Sequence, residues 1–386
     1  MSITAIDKEY VAGTYGRFPL ELVEGKGCIV KDAAGKEYID LGSGIGVTAF
    51  GIADDTWLAA VTAQAAKLQH VSNLYYTEPC AKLAQLLCQK TGMAKVFFCN
   101  SGAESNECAI KYARKYSMAK KGAQYYNIIT LVNSFHGRTL TTLAATGQDH
   151  FHQLFPPLTP GFHHVQAGDL EGLKAMAKQY PTAGILLECV QGEGGVIPLT
   201  EEFIKGVAQL CEAEDIPLMI DEVQTGNGRT GALYAYMHYG VQPDIVSTAK
   251  GLGGGLPIGA TLVSQKLASV LGPGDQGSTY GGNPVACAGA LTVIERLDEE
   301  FLAQVQAKSD YIFSALADAE GVEGVTGKGL MIGIKTKKSA KEVVMACMEK
   351  GVLCLTAKDK VRLLPALNIP MAQLEKAVAV IREACK

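Results

Sequence analysis

The sequence predicts an α/β protein: a large domain on a mostly parallel sheet flanked by helices, with a smaller α+β domain drawn from both chain ends. Three observations lead there. Short, β-branched apolar runs alternate with longer helical patterns through the middle of the chain, as in sheets whose strands are joined by helical crossovers. The two ends break that alternation, with hairpin signals before residue 50 and strand–helix mixtures after 310. Polar and glycine-rich clusters follow five of the strand candidates, where open α/β sheets bind ligands.

Residues 21–41 (ELVEGKGCIVKDAAGKEYIDL) read as one or two hairpins turning at Lys26-Gly27 and Ala34-Gly35. Helices are expected at 55–68, 80–91, 103–121, 171–179 and 201–214. Buried strands are expected at 95–99 (KVFFC), 127–132 (NIITLV), 184–189 (GILLEC), 217–221 (PLMID), 244–248 (DIVST) and 260–264 (ATLVS). A long helix at 284–308 then leads to a further helix from about 310, strands around 322–335, a helix at 339–350, strands near 352–364 and a last helix at 371–385. The expected domains are 1–50, an N-terminal segment packing with the small domain; 51–290, the large ligand-binding domain; and 291–386, the small C-terminal domain.

Composition narrows the function classes. At 386 residues, 48% hydrophobic and 19% charged, the chain can build a large core in two to three domains. A formal net charge of −4 without a long basic run argues against nucleic acid or an anionic membrane as partner. The 11 cysteines are scattered with no Cys-x-x-Cys pair, which suits reduced thiols in a cytoplasmic protein and no metal site. No signal peptide and no apolar run of membrane-spanning length are read. Gly251-Leu252-Gly253-Gly254-Gly255-Leu256 lacks the last glycine of a dinucleotide fingerprint, and no Gly-Lys-Ser/Thr loop is present.

The clusters carry the chemistry. Asn100-Ser101-Gly102-Ala103-Glu104 stands between a strand and a long helix, whose first N–H groups and dipole suit a phosphate; taken alone, it reads more readily as an ordinary N-cap with a glycine turn. Asp221 closes a buried strand, where a carboxylate needs a cationic partner or serves as a cap. Lys250, in Thr248-Ala249-Lys250-Gly251, is a strand-end lysine among small residues. Desolvation there lowers an amine's pKa and frees it as a nucleophile; a lysine snorkelling to the surface is the other reading.

LMIDEVQTGNGRTG followed by PDIVSTAKGLGGGLPIGA strongly resembles the class III (ω-amino acid) aminotransferases of pyridoxal phosphate (PLP) fold type I. FFCNSGAESNECAIKYARK, NSFHGRTL, QGEGGV, GSTYGGNPVACAGA and VRLLPAL have counterparts in the same order, so the likeness covers nearly the whole chain. The resemblance implies a seven-stranded, mostly parallel sheet and a homodimer with shared active sites. It implies that Lys250 binds PLP covalently and shuttles protons, that Asp221 pairs with the pyridine nitrogen, and that Gln224 bonds the ring hydroxyl. Phe135 would stack on the ring, Ser101, Gly102 and Ala103 would cradle the phosphate, and Ser278 and Thr279 would reach it from the neighbouring subunit. His136 is given no role.

Arg138 and Arg362 resemble the carboxylate-binding arginines of the ornithine and acetylornithine branches of that family, and Glu193 resembles the glutamate that masks the second arginine. The start of the chain and several motifs are most similar to the bacterial acetylornithine branch. That likeness implies cytoplasmic amino transfer between N2-acetylornithine and 2-oxoglutarate, with glutamate as the other product, in arginine biosynthesis. Tyr15 is expected to line the substrate pocket. Sibling transaminases using ornithine, succinylornithine, acetyllysine or 4-aminobutyrate remain open, as does a glutamate 1-semialdehyde aminomutase. Two departures are local: Gly51-Ile52-Ala53-Asp54-Asp55 replaces the usual Gly-His-x-His-Pro, and Glu188-Cys189-Val190-Gln191-Gly192-Glu193 lacks the usual proline.

Overall fold

A computed structural model describes residues 2–386. Its largest sheet has seven strands in the spatial order Lys95–Cys99, Gly259–Val263, Ile245–Thr248, Leu218–Asp221, Thr182–Leu187, Asn127–Leu131, Phe162–Val165. Gly259–Val263 runs antiparallel to both neighbours; the remaining pairs are parallel. The exception follows from chain length. After Thr248 the chain makes one tight 3-10 turn, Lys250–Gly253, and returns directly, whereas a parallel return needs a crossover of roughly a dozen residues or more. Asn127–Leu131 and Thr182–Leu187 are buried along their whole length, which explains their continuous apolar character.

The six expected strands are present, with 184–189 displaced to Thr182–Leu187. The seventh, Phe162–Val165, was not anticipated from the residues: it is a half-buried edge strand, Phe-His-His-Val. The expected single helix at 284–308 is two helices, Pro284–Glu295 and Glu299–Ala317. Asp298 breaks it by accepting from Phe301 N–H as the N-cap of the second helix, while buried Leu297 anchors the bend in the core.

Both chain ends build the remaining layers. Leu22–Lys26, Ile29–Asp32 and Glu37–Asp40 form an antiparallel meander, and Val352–Leu353 pairs in parallel with the last of them. Val322–Lys328, Met331–Thr336, Lys360–Leu363 and Leu355–Ala357 form a second four-stranded antiparallel sheet. Arg229, fully buried, reaches from the loop after Leu218–Asp221 to donate to the carbonyls of Leu330 (3.1 Å) and Pro365 (2.5 Å). With no carboxylate beside it, burial lowers its pKa to about 9. Asp54, in the first departing segment, caps Asp55–Lys67 by accepting from Trp57 N–H and pairs with Arg296 at 2.9 Å. No helix among the described residues is long and apolar enough to cross a membrane.

Candidate active site

The carboxyl ends of the parallel strands open into a cavity of about 480 Å³. It brings together Ser101, Gly102 and Ala103 after Lys95–Cys99, Phe135 and Arg138 after Asn127–Leu131, Asp221 and Gln224, and Lys250. All of these were expected from the sequence. Ser101 is the N-cap of Gly102–Lys121, its hydroxyl accepting from Glu104 N–H and donating to the Glu104 carboxylate. Cap and cradle therefore coexist: the hydroxyl is used within the turn, while Gly102 and Ala103, whose N–H groups at the helix start have no intrahelical partner, line the cavity.

Asp221 is 3% exposed. One carboxylate oxygen accepts from Asn106 Nδ2 (2.7 Å) and His136 Nδ1 (2.8 Å), the other from Val223 N–H (3.0 Å). Three donors thus converge on the two carboxylate oxygens, an arrangement in which the His136 proton sits on Nδ1. His136 Nε2 is buried with no partner. Asn106 is itself fixed, donating to the His136 carbonyl and accepting from Ser247 Oγ at 2.5 Å.

At Lys250 the backbone has φ 44°, in the left-handed region, uncommon outside glycine. Asn227 clamps the preceding residues, donating to Thr248 Oγ1 and the Ala249 carbonyl. Burial lowers the Lys250 pKa; the Glu193 carboxylate opposes that effect and the Arg362 guanidinium adds to it.

Glu193 accepts from Arg362 Nη1 at 2.5 Å and from Gln224 Nε2 at 3.3 Å, while Arg362 also donates to Gln224 Oε1 at 3.2 Å. Burial acts to raise the Glu193 pKa, but Arg362, together with Lys250 and Gln224, outweighs it and holds the carboxyl below its usual value. Arg138 differs: no carboxylate pairs with it among the described residues. Its guanidinium lies 4.0 Å from the ring centre of Phe151 and 5.5 Å from that of Phe135.

Other expected residues lie outside the cavity of the single chain. Ser278 Oγ accepts from Asn100 Nδ2 (3.1 Å) and Gly281 N–H (2.9 Å), and Thr279 is exposed. Tyr15 is 74% exposed, with Arg17 over its ring. Among the lining residues not singled out as site residues are Asn106, His136 and Glu188. Asn106 follows Gly102 by one helical turn, a spacing that could have revealed it. Glu188 accepts from Phe135 N–H (3.0 Å) and Gly192 N–H (3.2 Å), bracing the turn that lacks the proline. Burial raises its pKa to about 7.

A family model described as aminotransferase class-III matches residues 10–385. An acetylornithine aminotransferase of Haemophilus ducreyi is 51% identical over 99% of this chain and 98% of its own. One from Aquifex aeolicus is 43% identical over 97% and 99%. Among solved structures, an N-acetylornithine aminotransferase from Stenotrophomonas maltophilia matches with TM-score 0.86 and 34% identity over 99% of this chain and 98% of that one. An ornithine aminotransferase from Toxoplasma gondii matches with TM-score 0.94 and 30% identity over 99% and 94%.

Proposed function

This chain belongs to the class III aminotransferases, and on that premise we propose how its cavity carries out amino transfer between N2-acetyl-L-ornithine and 2-oxoglutarate. The products are N-acetyl-L-glutamate 5-semialdehyde and L-glutamate, the reaction is reversible, and it serves arginine biosynthesis. The observation that carries the reading is the unlike state of two arginines: Arg362, whose charge acts on Lys250, is covered by Glu193, and Arg138, which lines the same cavity as Lys250, is uncovered.

The enzyme is PLP-dependent, and the residues present fit that cofactor. A helix start supplies N–H groups for a phosphate, and a buried Asp221 is bonded by Asn106 and His136 rather than by a lysine or arginine. An amine of lowered pKa lies in the same cavity. Bound there, the cofactor supplies an aldehyde that accepts and returns amino groups and a cationic ring that serves as an electron sink. Lys250 would hold it through its amine and would carry the proton to and from the substrate carbon bearing the amino group. Asp221 keeps the ring nitrogen protonated, with Asn106 and His136 fixing its orientation. Gln224 bonds the ring hydroxyl and Phe135 packs on the ring face. Gly102 and Ala103 N–H groups and the Ser101 turn hold the phosphate.

Glutamate places its α-carboxylate on Arg362, displacing Glu193, and its distal carboxylate on Arg138. N2-acetylornithine has no carboxylate at its reacting end. Its carboxylate goes to Arg138 while Glu193 stays on Arg362, so that no unpaired cation is left in the cavity. Planar guanidinium groups suit both tasks by binding carboxylates with paired hydrogen bonds.

The working unit is a homodimer in which Ser278 and Thr279 of a second copy complete the phosphate site. In support, Asn73 ties the 278–281 loop to its own segment by donating to the Ser278 and Gly281 carbonyls. Leu74, Tyr75, Tyr76 and Tyr280 around it are largely exposed, an apolar patch suited to a second copy. The cysteines are all free thiols, which suits a reducing cytoplasm. The test is spectroscopic. The protein as purified with PLP carries a visible absorption band. Lys250→Ala loses that band, and turnover falls by about 1,000-fold or more. A wild-type protein that takes up no PLP, or a fully active Lys250→Ala variant, contradicts the reading.

A further inference from the structure

Arg362 is held by a carboxylate that must leave when glutamate binds; Arg138 is held by aromatic rings, which need not. The guanidinium carbon of Arg138 lies 4.0 Å from the centre of the Phe151 ring and 5.5 Å from that of Phe135. The two rings meet edge to face at 6.3 Å. The segments bearing them are bracketed together. Gln148 Nε2 donates to the Ser134 carbonyl (3.0 Å), and Gly147 N–H donates to Ser134 Oγ (3.0 Å). His152 is bonded to the Thr146 carbonyl (2.6 Å). Phe151 therefore sits on a short pinned helix, Asp149–His152.

A guanidinium over an aromatic ring is attracted through the ring quadrupole, while its N–H donors all lie in its own plane. The ring faces orient the group without using a donor. An internal carboxylate would instead compete with the ligand.

We propose that Phe151 is a specificity-determining positioning residue, which orients the Arg138 guanidinium so that its donors await a substrate carboxylate. The inference rests on the reading of Arg138 given above. It adds a consequence: both substrates place a carboxylate on Arg138, so Phe151 acts in both half-reactions, whereas Glu193 and Arg362 change partners in only one.

The test uses the holoenzyme with Phe151→Leu, which keeps apolar bulk but has no ring face, Phe151→Met as a second such replacement, and Phe151→Tyr. Phe151→Leu or Phe151→Met raises KM for both 2-oxoglutarate and N2-acetylornithine about fivefold. It leaves kcat within about twofold and the cofactor absorption unchanged. Phe151→Tyr restores both KM values. Unchanged KM values in the ring-less variants, an equal rise in Phe151→Tyr, or a loss confined to kcat overturns the inference. Arg138→Leu separates the two levels. If it raises both KM values while the Phe151 variants do not, only the role of Phe151 falls. If it leaves both unchanged, the reading of Arg138 fails and this inference with it.

Discussion

At Lys250 one side chain meets four charged neighbours, of which Glu193, Asp221 and Glu188 favour its ammonium form and Arg362 disfavours it, while burial dominates and lowers its pKa. An amine reacts only when deprotonated, so a lower pKa keeps it reactive to lower pH. Glu193→Gln removes the largest carboxylate contribution and leaves the Arg362 cation uncovered; both changes lower the Lys250 pKa further. The acidic limb of the pH dependence of PLP capture therefore shifts to lower pH, read from the visible band; an upward shift contradicts this assignment. The sequence located Lys250, Asp221, Gln224 and both arginines because ordered motifs surround them. It left His136 without a role because its partner, Asp221, is 85 residues away in the chain and only folding brings the two to one point. Glu188 was visible only as a member of a turn that had lost its proline. That its two oxygens brace the backbone of Phe135 and Gly192 is a tertiary fact.

Among the elements, strands buried on both faces were the most legible, since a sheet covered by helices demands unbroken apolar runs. Phe162–Val165 was illegible for the converse reason: an edge strand tolerates the two histidines at its centre, and its sequence carries no alternation. The break at Arg296–Asp298 was hidden because apolar periodicity continues across it, and the cap at Asp298 outweighs that pattern. Asp54 shows a cap serving in place of an expected motif. Replacing it by alanine removes both the cap on Asp55–Lys67 and the pairing of Arg296, which remains packed over Phe50. Asp54→Ala is expected to destabilise the protein by about 1–2 kcal/mol, measured by denaturant unfolding, with kcat unchanged. A loss of activity without a loss of stability contradicts a purely structural role.

Across the whole molecule, the chain ends meet in one sheet, and buried Arg229 ties the loop after Asp221 to the C-terminal strands that carry Arg362. The cavity thus depends on segments from most of the chain. The dimer proposed above makes a prediction at this scale. The protein sediments at twice its chain mass of 40.8 kDa, and Tyr76→Glu, which puts a charge into the exposed apolar patch, weakens association and PLP affinity together. Dissociation with unchanged PLP affinity contradicts shared phosphate sites. The central claim, that the cavity accepts an acylated ω-amine and glutamate in turn, is met most directly by a half-reaction titration. Glutamate, N2-acetylornithine, ornithine and 4-aminobutyrate are added separately to the PLP form without an oxo-acid, and loss of the visible band is followed. Glutamate and N2-acetylornithine are expected to discharge the band at the lowest concentrations; discharge by ornithine or 4-aminobutyrate ahead of N2-acetylornithine contradicts the substrate assignment.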